Sequence, residues 1–216
     1  MSTAPIRSLS GLVDSLLVAA DEALRALSGA ATAARPSPGA GQGEPAVPEE
    51  RALSGRLMRV NHTGEICAQA LYSGQALVAR SDSIRAALQG AASEERDHLA
   101  WCRDRLARLG AHASALDPLW YAGSFAWGVA SGLAGDRWSL GFLSETEDQV
   151  ERHLEGHLDR LPADDRASRA VVLQMREDEN RHGAMGRALG GRELPLPVKA
   201  AMRLAARAMT GTAYWV

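Results

Sequence analysis

Apolar residues recur at steps of three and four through most of the chain, and no stretch alternates with period two for long enough to make a strand. The pattern predicts four long helices, over about 50–80, 82–109, 137–161 and 164–190. Leu161-Pro162 separates the last two, and Gly190-Gly191 closes the final one. A shorter amphipathic helix is expected over 9–28, with Leu12, Leu16, Ala19, Ala20, Leu24 and Leu27 on one side, suited to docking on a core or on a membrane. After it, residues 31–49 are rich in Ala, Pro and Gly and have no periodicity, which reads as a flexible linker. Between the second and third long helices, LWYAGSFAWGVASGLAG (119–135) carries no charge; its 17 residues with four glycines are marginal for crossing a bilayer and suit a buried or interfacial segment. The tail over 194–216 reads as a basic amphipathic helix with an aromatic end. Lys199, Arg203 and Arg207 recur every fourth residue, fitting either an anionic membrane surface or packing on the chain's own domain.

Polar residues interrupt the apolar stripes in a repeated way. The second long helix runs Ile84, Leu88, Ala91, Glu95, His98, Cys102, Leu106, Leu109, and the fourth runs Val172, Met175, Glu179, His182, Gly186, Leu189. Each carries a Glu-x-x-His pair where aliphatic residues belong. The third runs Leu140, Leu143, Glu147, Val150, Leu154, His157, Leu161, and the first places Met58, His62, Glu65, Ala68 and Tyr72 on one face. Solvated ion pairs spaced i,i+3 would lie on the charged face instead. Four inward carboxylates with two imidazoles need compensating positive charge, since burying an unpaired carboxylate is costly. A metal site supplies it, and this is the ligand set of ferritin-like dimetal bundles. The spacing repeats too: thirty residues separate Glu65 from Glu95, and thirty-two separate Glu147 from Glu179. The fold class expected is therefore all-α: a ferritin-like four-helix bundle with a hydrophobic interfacial segment between its second and third helices and extra amphipathic helices at both ends.

Carboxylates with two imidazoles and no thiolate favour iron or manganese over structural zinc. Each imidazole then needs an acceptor to fix its tautomer. Asp178 is a candidate, against the commoner role of a surface acid, while Glu94 reads as a surface acid. His62 and His157 read as core histidines.

Charge and composition narrow the rest. The chain has 216 residues, 46% of them hydrophobic, and 24 basic against 26 acidic residues well mixed, so a nucleic-acid partner is not expected. Cys67 and Cys102 have no zinc-type or CxxC spacing and suit a reducing compartment. Near the N-terminus only Leu16 to Ala20 form an apolar run, too short for a signal-peptide core, so a cytoplasmic protein is expected.

RVNHTGEICAQALYSGQ (59–75), EERDHLAWC (94–102), PLWYAGSFAWGVASGLAG (118–135), TEDQVERHLEGHLDRLP (146–162), REDENRHGAMG (176–186) and the ending TGTAYWV resemble the demethoxyubiquinone hydroxylase family, Coq7. The resemblance implies that Glu65, Glu95, His98, Glu147, Glu179 and His182 bind two iron ions. It implies oxygen-dependent hydroxylation of a polyprenylated 2-methoxy-5-methylbenzoquinol in ubiquinone biosynthesis, with reduced nicotinamide as reductant. It also divides the chain into an N-terminal helix (1–30), the linker (31–49) and a di-iron hydroxylase domain (50–216). The family usually has His-His-Tyr after the third-helix glutamate; here Arg152-His153-Leu154 stands there, so His153 keeps a position tied to electron entry or to support of the ligands, while a tyrosine-mediated route lacks its residue. A polyprenyl substrate implies peripheral attachment to the cytoplasmic side of the cell membrane, with 119–135, and in it Trp120, Tyr121, Phe125 and Trp127, as membrane face and channel mouth. A homo-oligomer and other ubiquinone-biosynthesis proteins are the remaining partners expected. The competing reading is a ferritin-like iron-handling or ferroxidase protein, which shares the ligands but has no use for a Trp-rich uncharged segment.

Overall fold

A computed structural model describes residues 9–216, and among these there is no strand. Seven helices follow in order: α1 (Leu9–Ser28), α2 (Pro48–Val78), α3 (Asp82–Leu109), α4 (Asp117–Leu133), α5 (Asp136–Arg160), α6 (Arg166–Ala188) and α7 (Leu196–Ala213). The long helices α2, α3, α5 and α6 form a ferritin-like bundle as two hairpins, α2 with α3 and α5 with α6.

Local chemistry sets the ends. Pro48 opens α2, where its missing N–H costs nothing. Ser81 caps α3 by accepting from the Ile84 amide, and Gly110, at φ 69°, closes the same helix in the left-handed conformation. Asp165 caps α6 through the Ser168 amide at 2.9 Å. The same carboxylate accepts from the fully buried Arg105 of α3, whose guanidinium also meets Glu44 at 2.8 Å, so the start of α6 is fixed against α3 and against the segment preceding α2. The two hairpins are joined where Asp136, at the start of α5, accepts from the Arg80 and Ser81 amides at 3.0 and 2.9 Å.

The uncharged segment is a helix, α4, lying along α2. Glycines bring the two backbones together: a Cβ on Gly74 would stand 2.5 Å from the Phe125 carbonyl oxygen, and one on Gly128 would run into the Leu71 carbonyl. Its aromatic residues divide. Tyr121, expected on the outer face, is buried beside Ile66, Ala70 and Leu99, whereas Trp127, Leu119 and Leu133 are exposed.

α1 also packs on the bundle, through Ala26 and, less deeply, Ala23, and it is tied there by Glu22, which accepts from Ser73 at 2.5 Å. Small residues face inward, so the leucine side is outside: Leu16, Leu17 and Leu24 are all exposed. The segment from 30 to 47 has no helix, and its course is fixed at several points, including the Ala167 amide on the Gly43 carbonyl at 3.0 Å. α7 returns beside α2 and α5. Lys199, one of the three basic residues read as a surface row, is turned toward Glu145 at 2.9 Å and Glu193 at 2.8 Å.

Candidate metal centre

The bundle core has two apolar layers. One holds Leu57, Met58, Cys102, Leu106, Leu154, Val172 and Met175, and the other holds Tyr72, Ala76, Leu88, Ala91 and Leu143. Along every long helix the inward Glu and His residues fall between these layers: Glu65 on α2, Glu95 and His98 on α3, Glu147 on α5, Glu179 and His182 on α6. All six side chains are buried, which excludes solvated surface ion pairs.

Glu95 and Glu179 stand at the centre, each spanning both imidazoles. Nδ1 of His98 lies 3.1 Å from Glu95 Oε2 and 3.2 Å from Glu179 Oε1; Nδ1 of His182 lies 2.9 Å from Glu95 Oε1 and 3.2 Å from Glu179 Oε2. Glu65 joins the His98 side, with Oε2 at 3.5 Å from Nδ1. One donor atom each from Glu65, Glu95, His98 and Glu179 falls within a 4.8 Å sphere of mutual distances, close enough for one metal ion. Glu147 belongs to the other side and is held differently, accepting from the Tyr72 hydroxyl at 2.7 Å.

These residues fit a cation. Glu65 Oε2 and Glu95 Oε1 are buried with no well-directed hydrogen bond. Burial, reinforced by the neighbouring Glu95 and Glu179 charges, holds Glu65 well above the usual carboxylate range, and burial with Glu179 does the same to Glu147. Glu95 is held well below that range, because His98 and His182 outweigh its burial. The imidazoles move the other way: burial opposes their charge, yet the carboxylates push His182 up to about 11 and His98 well above its ordinary value. Glu65, Glu147 and the two imidazoles thus hold protons tightly. A metal takes the place of such protons, since it binds carboxylates and neutral imidazoles.

The outer contacts of the two imidazoles differ. Nε2 of His98 donates to Asp178 Oδ2 at 2.9 Å, which leaves Nδ1 facing the carboxylates. Asp178 is fully buried and is no surface acid; it also accepts from Gln174, Arg181 and Arg35. Among the described residues Nε2 of His182 has only Glu94, 3.6 Å away and 35% exposed, which in turn accepts from Arg181 at 3.0 Å. Glu94 therefore lies at the rim of the site.

The remaining candidates lie elsewhere. His62 is buried, with Nδ1 3.2 Å from Asp117, whose other oxygen accepts from Thr63; the pair fastens the start of α4 to α2. His153 faces His157 on α5, their ring centroids 4.0 Å apart, and is outside the cluster of donors. Sequence reasoning passed over Asp97 and Arg35. Asp97 stood beside His98 in ERDH. Arg35 had one weak signal, being the only charge between residues 31 and 43.

A four-helix bundle that buries four carboxylates and two imidazoles between apolar layers has the architecture of the ferritin-like carboxylate–histidine class, and its Glu65, Glu95, His98 and Glu179 group could hold a metal ion. Comparison with known proteins narrows this. Residues 52–213 match the family model for ubiquinone biosynthesis protein COQ7, and the chain belongs to that family. It is 58% identical over 204 residues to the 3-demethoxyubiquinol 3-hydroxylase of Verminephrobacter eiseniae, covering 94% of this chain and 98% of that one. The proteins of the same name from Nitrosococcus oceani (54% over 212 residues, 97% and 99% coverage) and Cupriavidus metallidurans (55% over 205 residues, 94% and 99%) are similar along nearly their whole length as well.

Proposed function

We propose that this chain hydroxylates a demethoxyubiquinol, a polyprenylated 2-methoxy-5-methylbenzoquinol, at ring carbon C6. One oxygen atom of O2 enters the C–H bond, and the other leaves as water with two electrons and two protons from a reductant of the reduced-nicotinamide class. The observation that carries this is the buried layer in which Glu95 and Glu179 each span both imidazoles, in a chain alike over nearly its full length to proteins named for that reaction. Glu65, Glu95, His98, Glu147, Glu179 and His182 would hold two iron ions, which supply oxygen activation when bound.

The chain's own residues account for the rest. With a metal bound, Asp178 would keep the proton of His98 on Nε2 and leave the Nδ1 lone pair for the metal. Tyr72 orients Glu147. The apolar layers above and below keep water from the reacting ring. A cleft between α1, α2 and α3, lined in part by Val18, Ala19, Ala76 and Ala92, reaches Tyr72 and gives the quinol ring an approach beside α1, where sequence alone had suggested a mouth at 119–135. Residues 50–216 make the hydroxylase domain in this reading, with residues 1–30, of which 1–8 lie outside the described residues, and the 31–49 connection as an extension. No described helix is long and apolar enough to cross a membrane. In this reading exposed apolar side chains meet the substrate's tail at the cytoplasmic membrane surface.

The test is quinone analysis in a strain deleted for the gene. Accumulation of the demethoxy precursor, cured by the wild-type chain and not by Glu95→Ala, is expected, together with a coupled diferric spectrum from iron-loaded wild type. Normal ubiquinone in the deletion would point instead to iron handling.

A further inference from the structure

Arg35 lies before the bundle in sequence, yet it reaches the two helices that carry the Glu-x-x-His pairs. Its Nε donates to Asp97 Oδ2 at 2.6 Å and its NH1 group lies 2.9 Å from Asp178 Oδ2. Asp97 is the residue before His98 on α3, and Asp178 is the residue before Glu179 on α6. The neighbouring Ala34 amide donates to the other Asp97 oxygen at 2.6 Å, and Trp101 Nε1 donates to the Arg35 carbonyl at 3.3 Å. The guanidinium lies 4.8 Å from the centre of the Trp101 ring, which itself packs against His98 with centroids 5.5 Å apart. Backbone, fork and ring contacts therefore fix Arg35 in one orientation, and a planar guanidinium bridging two carboxylates holds them at a set separation.

We infer that Arg35 is a positioning residue that clasps α3 to α6 and, through Asp178, holds the His98 imidazole, so that the Glu65/His98 half of the site binds its metal more tightly than the Glu147/His182 half. This rests on the dimetal reading above. Among the described residues no comparable clasp serves His182, whose outer nitrogen has Glu94 at 3.6 Å, beyond hydrogen-bond distance. Arg181 meets both Asp178 and Glu94, but it is 56% exposed and solvent competes for it. Removing a partner of a ligating histidine typically costs tenfold to a hundredfold in metal affinity. Arg35 acts one bond further out, so the low end of that range applies.

The experiment is calorimetric titration of the full-length protein with Mn2+ after chelation and dialysis, for wild type, Arg35→Ala and Arg35→Lys, with helicity checked by circular dichroism. Wild type is expected to take up two equivalents of unequal affinity. Arg35→Ala should weaken the tighter equivalent about tenfold and leave the other and the helicity unchanged. Arg35→Lys, a point charge that serves one carboxylate at a time, should fall between. Equal weakening of both equivalents, or an Arg35→Ala isotherm that overlays wild type, overturns the inference while leaving the dimetal site standing. A wild-type chain that takes up no metal overturns both, and a lysine variant as weak as alanine with normal helicity also counts against it.

Discussion

His153 and His157 face each other one turn apart on α5, and His153 Nε2 and His157 Nδ1 have no hydrogen-bond partner among the described residues. Burial, with Arg160 nearby, pushes His153 down to about 4; burial, His153 and Arg160 push His157 down to about 2. Both are neutral in the folded protein at neutral pH. In the unfolded chain they titrate near pH 6.5, so the unfolded state binds protons that the native state refuses. The stability tied to this is complete above about pH 6.5 and drains as the pH falls toward 4 for His153 and lower for His157. Each group contributes a slope of about 1.4 kcal/mol per pH unit below the unfolded value. Denaturant titrations at pH 6.5 and pH 5 should therefore show a loss that His157→Gln reduces by roughly 1–2 kcal/mol. An unchanged difference between the two pH values in the variant would show that His157 takes up a proton in the native state.

The contact of α4 with α2 depends on glycine more than on apolar side chains. Gly128 has the Leu71 carbonyl where a Cβ would go, and Gly74 has the Phe125 carbonyl and the Val129 amide. These obstacles are helix backbone and cannot rotate away. Gly128→Ala should destabilise the protein by about 1–3 kcal/mol or more, as overpacking does, despite alanine's better helix propensity. Alanine at Gly123, where a Cβ meets nothing within 4 Å, should be neutral or mildly stabilising; equal melting temperatures for the two variants would refute the close crossing. The same element shows what the sequence conveyed. The four long helices and the inward Glu and His residues were readable because helical periodicity fixes which side chain faces the core, and a charge in an apolar stripe stands out against it. The helical state of 117–133 was not readable, because a stretch with no charge after Asp117 displays little polar–apolar periodicity. The inward face of α1 was left open in the sequence for a related reason: alanines pack on the bundle and leave the leucines outside. Arg35 meets Asp97 and Asp178 across 62 and 143 residues, a pairing no local pattern can announce.

α1, α4 and α7 all pack against α2, and each leaves apolar side chains uncovered: Leu16, Leu17 and Leu24 on α1, Leu119, Trp127 and Leu133 on α4, Leu196 and Leu204 on α7. Exposed apolar side chains of this kind, on three helices packed against α2, are suited to insertion into a lipid leaflet. Arg203 and Arg207 are exposed on α7 and free to meet anionic headgroups, whereas Lys199 is engaged by Glu145 and Glu193. Charge near a membrane surface contributes about 1 kcal/mol per basic residue, roughly a fivefold change in binding. Vesicle flotation with phosphatidylglycerol-containing liposomes should show a loss of that order for Arg203→Ala and for Arg207→Ala, diminishing with salt, and almost none for Lys199→Ala. Trp127→Glu should cost at least tenfold at any salt, since a buried aromatic ring contributes about 1.5–3 kcal/mol or more. Equal losses for the three basic residues would mean that Lys199 leaves Glu145 at the membrane. Full binding by Trp127→Glu would remove α4 from the membrane face and leave α1 and α7 to carry the attachment.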